Sequence, residues 1–595
     1  MPAGVRSAPI ALREFAQSLW KAHPDLKLGS FKRQNIAIAV SGGADSTALA
    51  KLCAQLGRDE YPNLHFTALI VDHGARNGSH EEASLVKERM TKIGLPAEIL
   101  PLQWPEAAST GVGGFETQAR TLRYQALGRE CWKRQIPSLL IGHHEDDQAE
   151  TVLLRIARGQ RSIGLQSIIP AGDIPECFGI YGVHRSGSLR VVPNRVARFR
   201  KYQVDPRMLL MVNEIGFEDG GIRAYRPLLG FSKERIIATC IEHDLEWVED
   251  ETNQDPSLTQ RNAIRHLLYG HRLPRAIQKP SLLAIAKQAG LRNEDINRAA
   301  ATMFNTCKIL SFDMRSSLVT VSFPKMFRST SEGSSLADNK DDRLIALEVL
   351  RRVVEIVSPL ENVAIQRLGG VIKEVFPELS SAADPKEKNE SKTAFTCCGV
   401  YAQKFQGRTS LKLSRQGTDS KMTLDDLGNI WSFSRQPWSR AKSIASSPVP
   451  ITISPTEDET LSFKERLDDH PWHLWDGRYW MQIYNHTPHP VTLRHLKASD
   501  LSHLRQNSQK TRNRLRRLAS AAPGGVRWTL PVIADHNGAV ISIPTLGVTR
   551  EPESGLSSLK VQLRYKKVDL GSGDPSRLEE SMDSTLLNKE KDMAY

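Results

Sequence analysis

The chain has 595 residues, 40% of them hydrophobic and 25% charged, and a net charge of +13. That length exceeds one compact core and implies two to four domains, while no apolar run reaches the length of a membrane span. The seven scattered cysteines argue against a disulfide scaffold, and the basic surplus favours a polyanionic partner such as nucleic acid.

Residues 1–29 read as an N-terminal extension or a first helix, "LREFAQSLWKA". Arg6, Arg13, Lys21 and Lys27 outnumber the acids there, which is compatible with a mitochondrial targeting segment. From residue 30 to 270, β-rich runs at 35–40, 66–71, 97–102 and 138–142 alternate with helical patterns at 46–56, 81–93 and 116–135. This alternation predicts an α/β fold with a parallel sheet, and ligands beyond the carboxyl ends of its strands. Residues 171–222 fit no strong period and read as an insertion. A helical domain is expected over 271–380, with Leu344, Leu347, Leu350, Val354 and Val357 on one stripe. A basic, small α+β domain follows at 393–570, and 571–595 has the composition of a disordered tail.

Five blocks carry chemistry. The first is Ser41, Gly42, Gly43, Ala44, Asp45 and Ser46, between a buried-type strand and a helix. Glycines let backbone amides approach an anion at a helix start, and Asp45 would repel a bare phosphate unless Mg²⁺ bridged them. An ordinary strand–helix turn is the competing reading. The second block, at the end of the next strand, holds Asp72 and His73. In the third, Arg120 and Arg123 share a helix face with Glu116 one turn before Arg120, which suits a phosphate or a developing negative charge. The fourth, "HHEDDQAE" at 143–150, puts His143, His144, Asp146, Asp147, Gln148 and Glu150 at a strand end. Asp147 and Glu150 lie three apart and can converge on one cation, such as an ammonium group. The fifth is the acid-free stretch 501–520, with Arg505, Lys510, Arg512, Arg514, Arg516 and Arg517; "RVVPNRVARFRK" at 190–201 is a second basic cluster.

The loop SGGADS resembles the pyrophosphate loop of the N-type ATP pyrophosphatases. Together with "VDHGARNGSHEEA", "ETQARTLRY" and "HHEDDQAET", and with "RPLLGFSKERI", "EWVEDETN" and "RNAIR" downstream, it is similar to the tRNA(Ile)-lysidine synthase family. That resemblance implies a PP-loop ATPase domain over roughly 30–270, ATP and Mg²⁺ as cofactors, and tRNA(Ile) with a CAU anticodon and free L-lysine as substrates. It further implies ATP at Ser41–Ser46, Asp72 and His73, and metal at Asp45 and Asp146. Catalytic roles would fall to Asp45, Arg120, Arg123, His144, Asp147, Glu150 and Arg226. Lysine would bind at Asp147, Glu150, Arg261 and Asn262, and tRNA at the basic C-terminal segment. A tRNA 2-thiolation enzyme with the same adenylation step is the alternative, disfavoured because Cys53 is the one cysteine among the blocks. A non-catalytic RNA-binding descendant is the other, disfavoured by the intact Asp45, Asp147 and Glu150. A mitochondrial location is expected, with cytoplasm as the alternative; oligomeric state leaves no sequence signal.

Overall fold

A computed structural model describes residues 7–28, 32–74, 78–105, 112–188, 215–248, 259–270, 273–325, 340–379, 392–405, 429–438, 449–455, 471–505, 518, 521–549 and 559–568. Two compact units divide the chain: Met1–Val191 with Asp219–Glu294, and Val192–Glu218 with Asp295–Tyr595.

In the first unit, β1 (Gln34–Val40), β2 (Leu64–Asp72), β3 (Ala97–Pro101), β4 (Ser138–Leu140) and the strand Arg223–Tyr225 run parallel in the order β3-β2-β1-β4-Arg223–Tyr225. β5 (Ala171–Asp173) closes the edge antiparallel. Buried on both faces, the central strands read as near-continuous apolar runs. Ile36, Ile38 and Val40 pack with α1 (Leu12–Ala22), α3 (Ala44–Gln55) and α4 (Ser79–Lys92) through Phe15, Leu19, Leu49, Leu52, Val86 and Met90. Ala37, Leu69 and Leu139 face α5 (Val112–Lys133) through Tyr124, Leu127 and Cys131. The short helix Pro24–Leu28 (α2) separates α1 from β1. Residues 12–22 are therefore a first helix whose Phe15 and Leu19 belong to the core.

Strand order reverses between β1 and β4, so the loops that follow them diverge and leave a crevice. α6 (Glu145–Ala157) starts at that crevice, and α7 (Lys233–Glu242), α8 (Gln260–Gly270) and α9 (Lys279–Thr306) follow it in the chain. Leu282 and Ala286 of α9 pack on Ala149, Val152 and Leu153 of α6.

The segment 171–222, expected to be irregular, has its described residues in both units. Ile174, Cys177, Val183 and Ile222 cover α5 in the first. Ile215–Phe217 pairs in parallel with Leu559–Tyr565 in the second. The helical expectation for 271–380 holds for α9 and for α10 (Lys340–Val357), where Leu347, Leu350, Val354 and Val357 are buried. It misses the hairpin Lys308–Asp313/Leu318–Phe323, which joins Asn429–Arg435, Val400–Lys404 and Ala394–Cys397 in one sheet. The blocks expected at 271–380 and 393–570 thus share a core containing Trp431 and Phe433. After α10 the chain forms two short helices, Ile365–Leu368 and Ile372–Val375, separated at Gly369 and Gly370. Among the described residues no helix is long and apolar enough to cross a membrane. Arg195–Lys201, Lys510, Arg512, Arg514, Arg516, Arg517 and the tail 571–595 lie outside the described residues; Arg505 ends the helix Ala498–Arg505.

Candidate active site

The loop after β1 turns at Gly42, whose φ of +85° and Val86 neighbour leave no room for a side chain: a Cβ there would sit 2.6 Å from Val86 Cγ2. Gly43 caps α3, so the free amides of its first turn face the crevice. Ser46 Oγ accepts the Ser41 amide at 3.1 Å and donates to the Gly43 carbonyl at 3.1 Å, so this hydroxyl, expected to meet the ligand, braces the loop. Asp45 projects from the same turn, and Lys233 of α7 places its ammonium 2.7 and 2.8 Å from the two carboxylate oxygens.

At the end of β2, Asp72 accepts the Gly74 amide at 3.0 Å, the Ser79 hydroxyl, and His80 Nδ1 at 3.2 Å. The Ser79 hydrogen bond, above all, holds its carboxyl below the usual range. Asp72 thereby ties the following loop down, and the His73 carbonyl takes the Trp104 indole N–H at 2.7 Å.

β4 delivers the acidic cluster. Gly142 lies so close to the first loop that a Cβ would be 3.3 Å from the Asp45 carbonyl and the Ser46 amide nitrogen. His144 caps α6, Nδ1 accepting the Asp146 amide at 3.2 Å while Asp147 accepts the His144 amide at 3.0 Å. Its Nε2 lies 3.6 Å from both Asp45 and Asp147. Burial opposes its charge, but the Asp146 carboxylate, 3.5 Å from Nδ1, and the fields of Asp147 and Asp45 outweigh it and raise the ring's pKa. His143 behaves oppositely. Burial, helped by Arg226, Arg261 and Arg120 against Asp147, pushes it down to about 4, and its buried Nδ1 has no hydrogen-bond partner.

Asp146 is 1% exposed and is held by Lys279 Nζ at 2.7 Å and the Lys233 amide at 3.0 Å. Asp147 and Glu150 do converge on cations as the spacing predicted, but the cations are guanidiniums. Arg261 of α8 reaches Asp147 at 2.6 Å and Glu150 at 2.8 Å, and Arg265 reaches Glu150 at 2.8 and 3.2 Å. Burial raises the Asp147 carboxyl, and the charges of His144, Arg261 and His143 more than reverse that. Asn262, beside Arg261, is buried.

Arg226 follows the strand Arg223–Tyr225, 8% exposed, one guanidinium nitrogen donating to the Ile169 carbonyl at 3.1 Å and Nε without a partner. Burial lowers its pKa, and Arg120 adds to the effect. Arg120 and Arg123 lie 4.9 and 5.5 Å from the Tyr124 ring centre. The carboxylate on Arg120 comes from Glu176, at 3.3 Å, where the sequence had suggested Glu116. Glu176 holds a left-handed φ of +59°, a costly conformation for a side chain of this kind, inside the segment the sequence left without a role.

Sequence reasoning thus missed Glu176, Lys233, Arg265 and Lys279, and gave His143, though it lies in the quoted cluster, no role of its own. It also missed Cys240, whose Sγ lies 3.5 Å from the Ala44 carbonyl, with burial pushing the thiol up to about 11. Among the described residues no group of three or more His, Cys, Asp or Glu is arranged to hold a metal ion. Asp45 nevertheless fits one, because an ammonium already stands on it as a cation. Asp146 does not fit, because its oxygens are committed to Lys279 and to the start of α7.

A family model described as "PP-loop domain" matches residues 12–192 and 206–271. A protein named "Probable tRNA(Ile)-lysidine synthase" from Schizosaccharomyces pombe is 27% identical over 542 residues, 90% of this chain and 96% of its own. Proteins named "tRNA(Ile)-lysidine synthase" from Wolbachia pipientis wMel and Pseudomonas aeruginosa are 30% and 33% identical over 239 and 230 residues. Those matches cover 40% and 38% of this chain and 44% and 39% of theirs, so the chain spans about two-fifths of the bacterial relatives. The solved U34-tRNA thiolase NcsA from Methanococcus maripaludis aligns with 48% of this chain and 80% of its own, at 15% identity and a TM-score of 0.31, too low to bear on function.

Proposed function

We propose that this chain, a PP-loop protein related to the tRNA(Ile)-lysidine synthases, ligates lysine to the wobble cytidine of tRNA(Ile) with a CAU anticodon. ATP adenylates the carbonyl oxygen of the base and pyrophosphate leaves; the amine of lysine then displaces AMP. The observation that carries this reading is the crevice between β1 and β4, where a glycine loop at a helix start lies against Gly142 and the next loop carries a pair of carboxylates that converge on a cationic side chain.

Within that reading the amides from Ser41 to Ser46 hold pyrophosphate, and Asp45 holds Mg²⁺ delivered with ATP, which would screen the phosphate charge. Asp72 and His73 line the nucleotide side. Arg226, with Arg120 and Arg123, stabilises charge on the phosphate or the activated base. Asp147, Glu150, Arg261 and Asn262 bind lysine, whose ammonium must displace or share the arginines. His143, neutral and with Nδ1 unpartnered, suits the proton shed by the attacking amine better than His144, whose Nδ1 is spent on the helix cap. The basic segment from Arg505 to Arg517 takes the tRNA backbone, a role that needs charge and not base reading. A mitochondrial location rests on basic N-terminal residues of which Arg13, Lys21 and Lys27 belong to α1 and α2 of the fold; cytoplasm is the alternative that imaging of a C-terminal fluorescent fusion separates.

No observation favours 2-thiolation, since Cys53 and Cys240 are both buried with their thiols pushed up. The deciding experiment gives purified protein Mg²⁺-ATP, labelled lysine and isoleucine tRNA transcripts with CAU or GAU anticodons. Label in the CAU transcript alone, abolished by Asp45→Ala, is expected. Pyrophosphate release without lysine incorporation would move the second substrate elsewhere, and no ATP turnover would leave RNA binding as the function.

A further inference from the structure

We propose that Arg265 and Arg261, one turn apart on α8, read the carboxylate of the amino-acid substrate whose ammonium is taken by Asp147 and Glu150. This rests on the lysine-ligating reading and names what selects the amino acid.

The cluster is layered. The side chains of Asp147 and Glu150 are 11% and 2% exposed, whereas those of Arg261 and Arg265 are 39% and 32% exposed. Arg261 bridges both carboxylates, with Nε on Glu150 and a terminal nitrogen on Asp147. Arg265 places Nε on one Glu150 oxygen at 2.8 Å and a terminal nitrogen on the other at 3.2 Å. An incoming solute therefore meets guanidinium first and carboxylate behind it. The two acids and two arginines balance, as buried charges must.

A bare ammonium entering this cluster would add positive charge and strand a guanidinium whose carboxylate it had taken, a cost of the kind that rejects wrong ligands. A solute bearing an ammonium and a carboxylate on one carbon avoids that cost. Its ammonium replaces a guanidinium on Glu150 or Asp147, and its carboxylate takes the released guanidinium through the planar fork that only arginine offers. The receptor is thus matched to the head group of a free amino acid. Held by its head, lysine presents its side-chain amine as the nucleophile, and a diamine of the same length is refused.

The test compares L-lysine, L-lysinamide and cadaverine as acceptors of the adenylated CAU transcript, with wild type, Arg265→Gln and Arg265→Lys. Wild type is expected to favour lysine over lysinamide by about 100-fold or more in kcat/KM, the scale set when a site built to pair a polar group is left without it. Arg265→Gln should shrink that ratio about tenfold, through the KM for lysine. Arg265→Lys, which keeps the charge and loses the fork, should fall between them. Because the ratio is internal to each protein, a partly folded variant does not distort it. An unchanged ratio in both variants overturns the carboxylate-reading role and leaves lysine ligation standing. Wild type that releases pyrophosphate but transfers none of the three amines overturns the ligation reading, and this inference with it.

Discussion

Lys233 Nζ lies 2.7 and 2.8 Å from the two carboxylate oxygens of Asp45, 188 positions away in sequence. The glycine loop after β1 contains no lysine of its own, and α7 brings one to its acidic corner. Both side chains are about one-third exposed, 36% and 29%, so the pair contributes at most about 1 kcal/mol to stability. On the proposed reading the pair acts in the site, where phosphate oxygens of bound ATP would compete with Asp45 for the ammonium. Lys233→Met should leave the urea midpoint nearly unmoved and lower kcat/KM for ATP about 100-fold, the scale of one lost charge-stabilising donor. Equal ATP kinetics in wild type and variant would make the pair a surface bridge and nothing more.

Arg226 makes the converse case, a charge that the fold tolerates. It is 8% exposed with Nε unpartnered, and neighbouring Arg120 repels it. Replacing a strained buried charge by an apolar chain of similar length often gains stability where the charge served function. Arg226→Met should therefore hold or raise stability, by about 1 kcal/mol, while pyrophosphate release on the CAU transcript drops at least about 100-fold. A variant that unfolds more readily and turns over normally would show that Arg226 is structural.

Local features of the site were legible in the sequence, and its tertiary partners were not. The strand–glycine–helix pattern at 35–56 is set by neighbours in the chain, so the loop and the strands of the sheet fall within a few residues of their expected places. The convergence of Asp147 and Glu150 follows from one helical turn. What those carboxylates meet depends on α8, over a hundred positions later, and no local periodicity encodes that. Lys233, Lys279 and Glu176 were missed for the same reason. The hairpin at 308–323 was missed differently, because "LVTVSF" holds three consecutive β-branched residues and carries a strand signal that the surrounding helical pattern obscured.

Gly142 has no side chain, and the backbone of Asp45 and Ser46 stands in the space one would fill, 3.3 Å from an added Cβ. Backbone atoms cannot rotate away, so Gly142→Ala should push the two loops apart. A stability cost of about 1–3 kcal/mol and a rise of about tenfold in KM for ATP are expected. Gly230→Ala is the control, because an added Cβ there meets nothing within 4 Å. Identical ATP kinetics in the two variants would mean that the loop contact does not set the nucleotide site.

Far from the chemistry, His23 makes the fold sensitive to acid. Its ring stacks on Tyr225, 3.8 Å between centres at 9°, with Nε2 2.9 Å from Ser138 Oγ and Nδ1 buried without a partner. Burial, aided by Arg223 and opposed by Asp25, lowers its pKa from 6.5 to about 4. The folded state refuses a proton that the unfolded chain accepts. Stability from this ring is therefore full above pH 6.5 and is lost as pH falls through the window down to about 4, with about 3 kcal/mol at stake. His23→Phe keeps a ring over Tyr225 and cannot titrate. Urea unfolding followed from pH 7 to 4.5 should show the variant gaining on the wild type as the medium becomes more acidic. A stability gap that stays constant over that range would mean that the buried ring takes up its proton without cost, and that the acid sensitivity lies with His143 and His184, which burial also lowers to about 4.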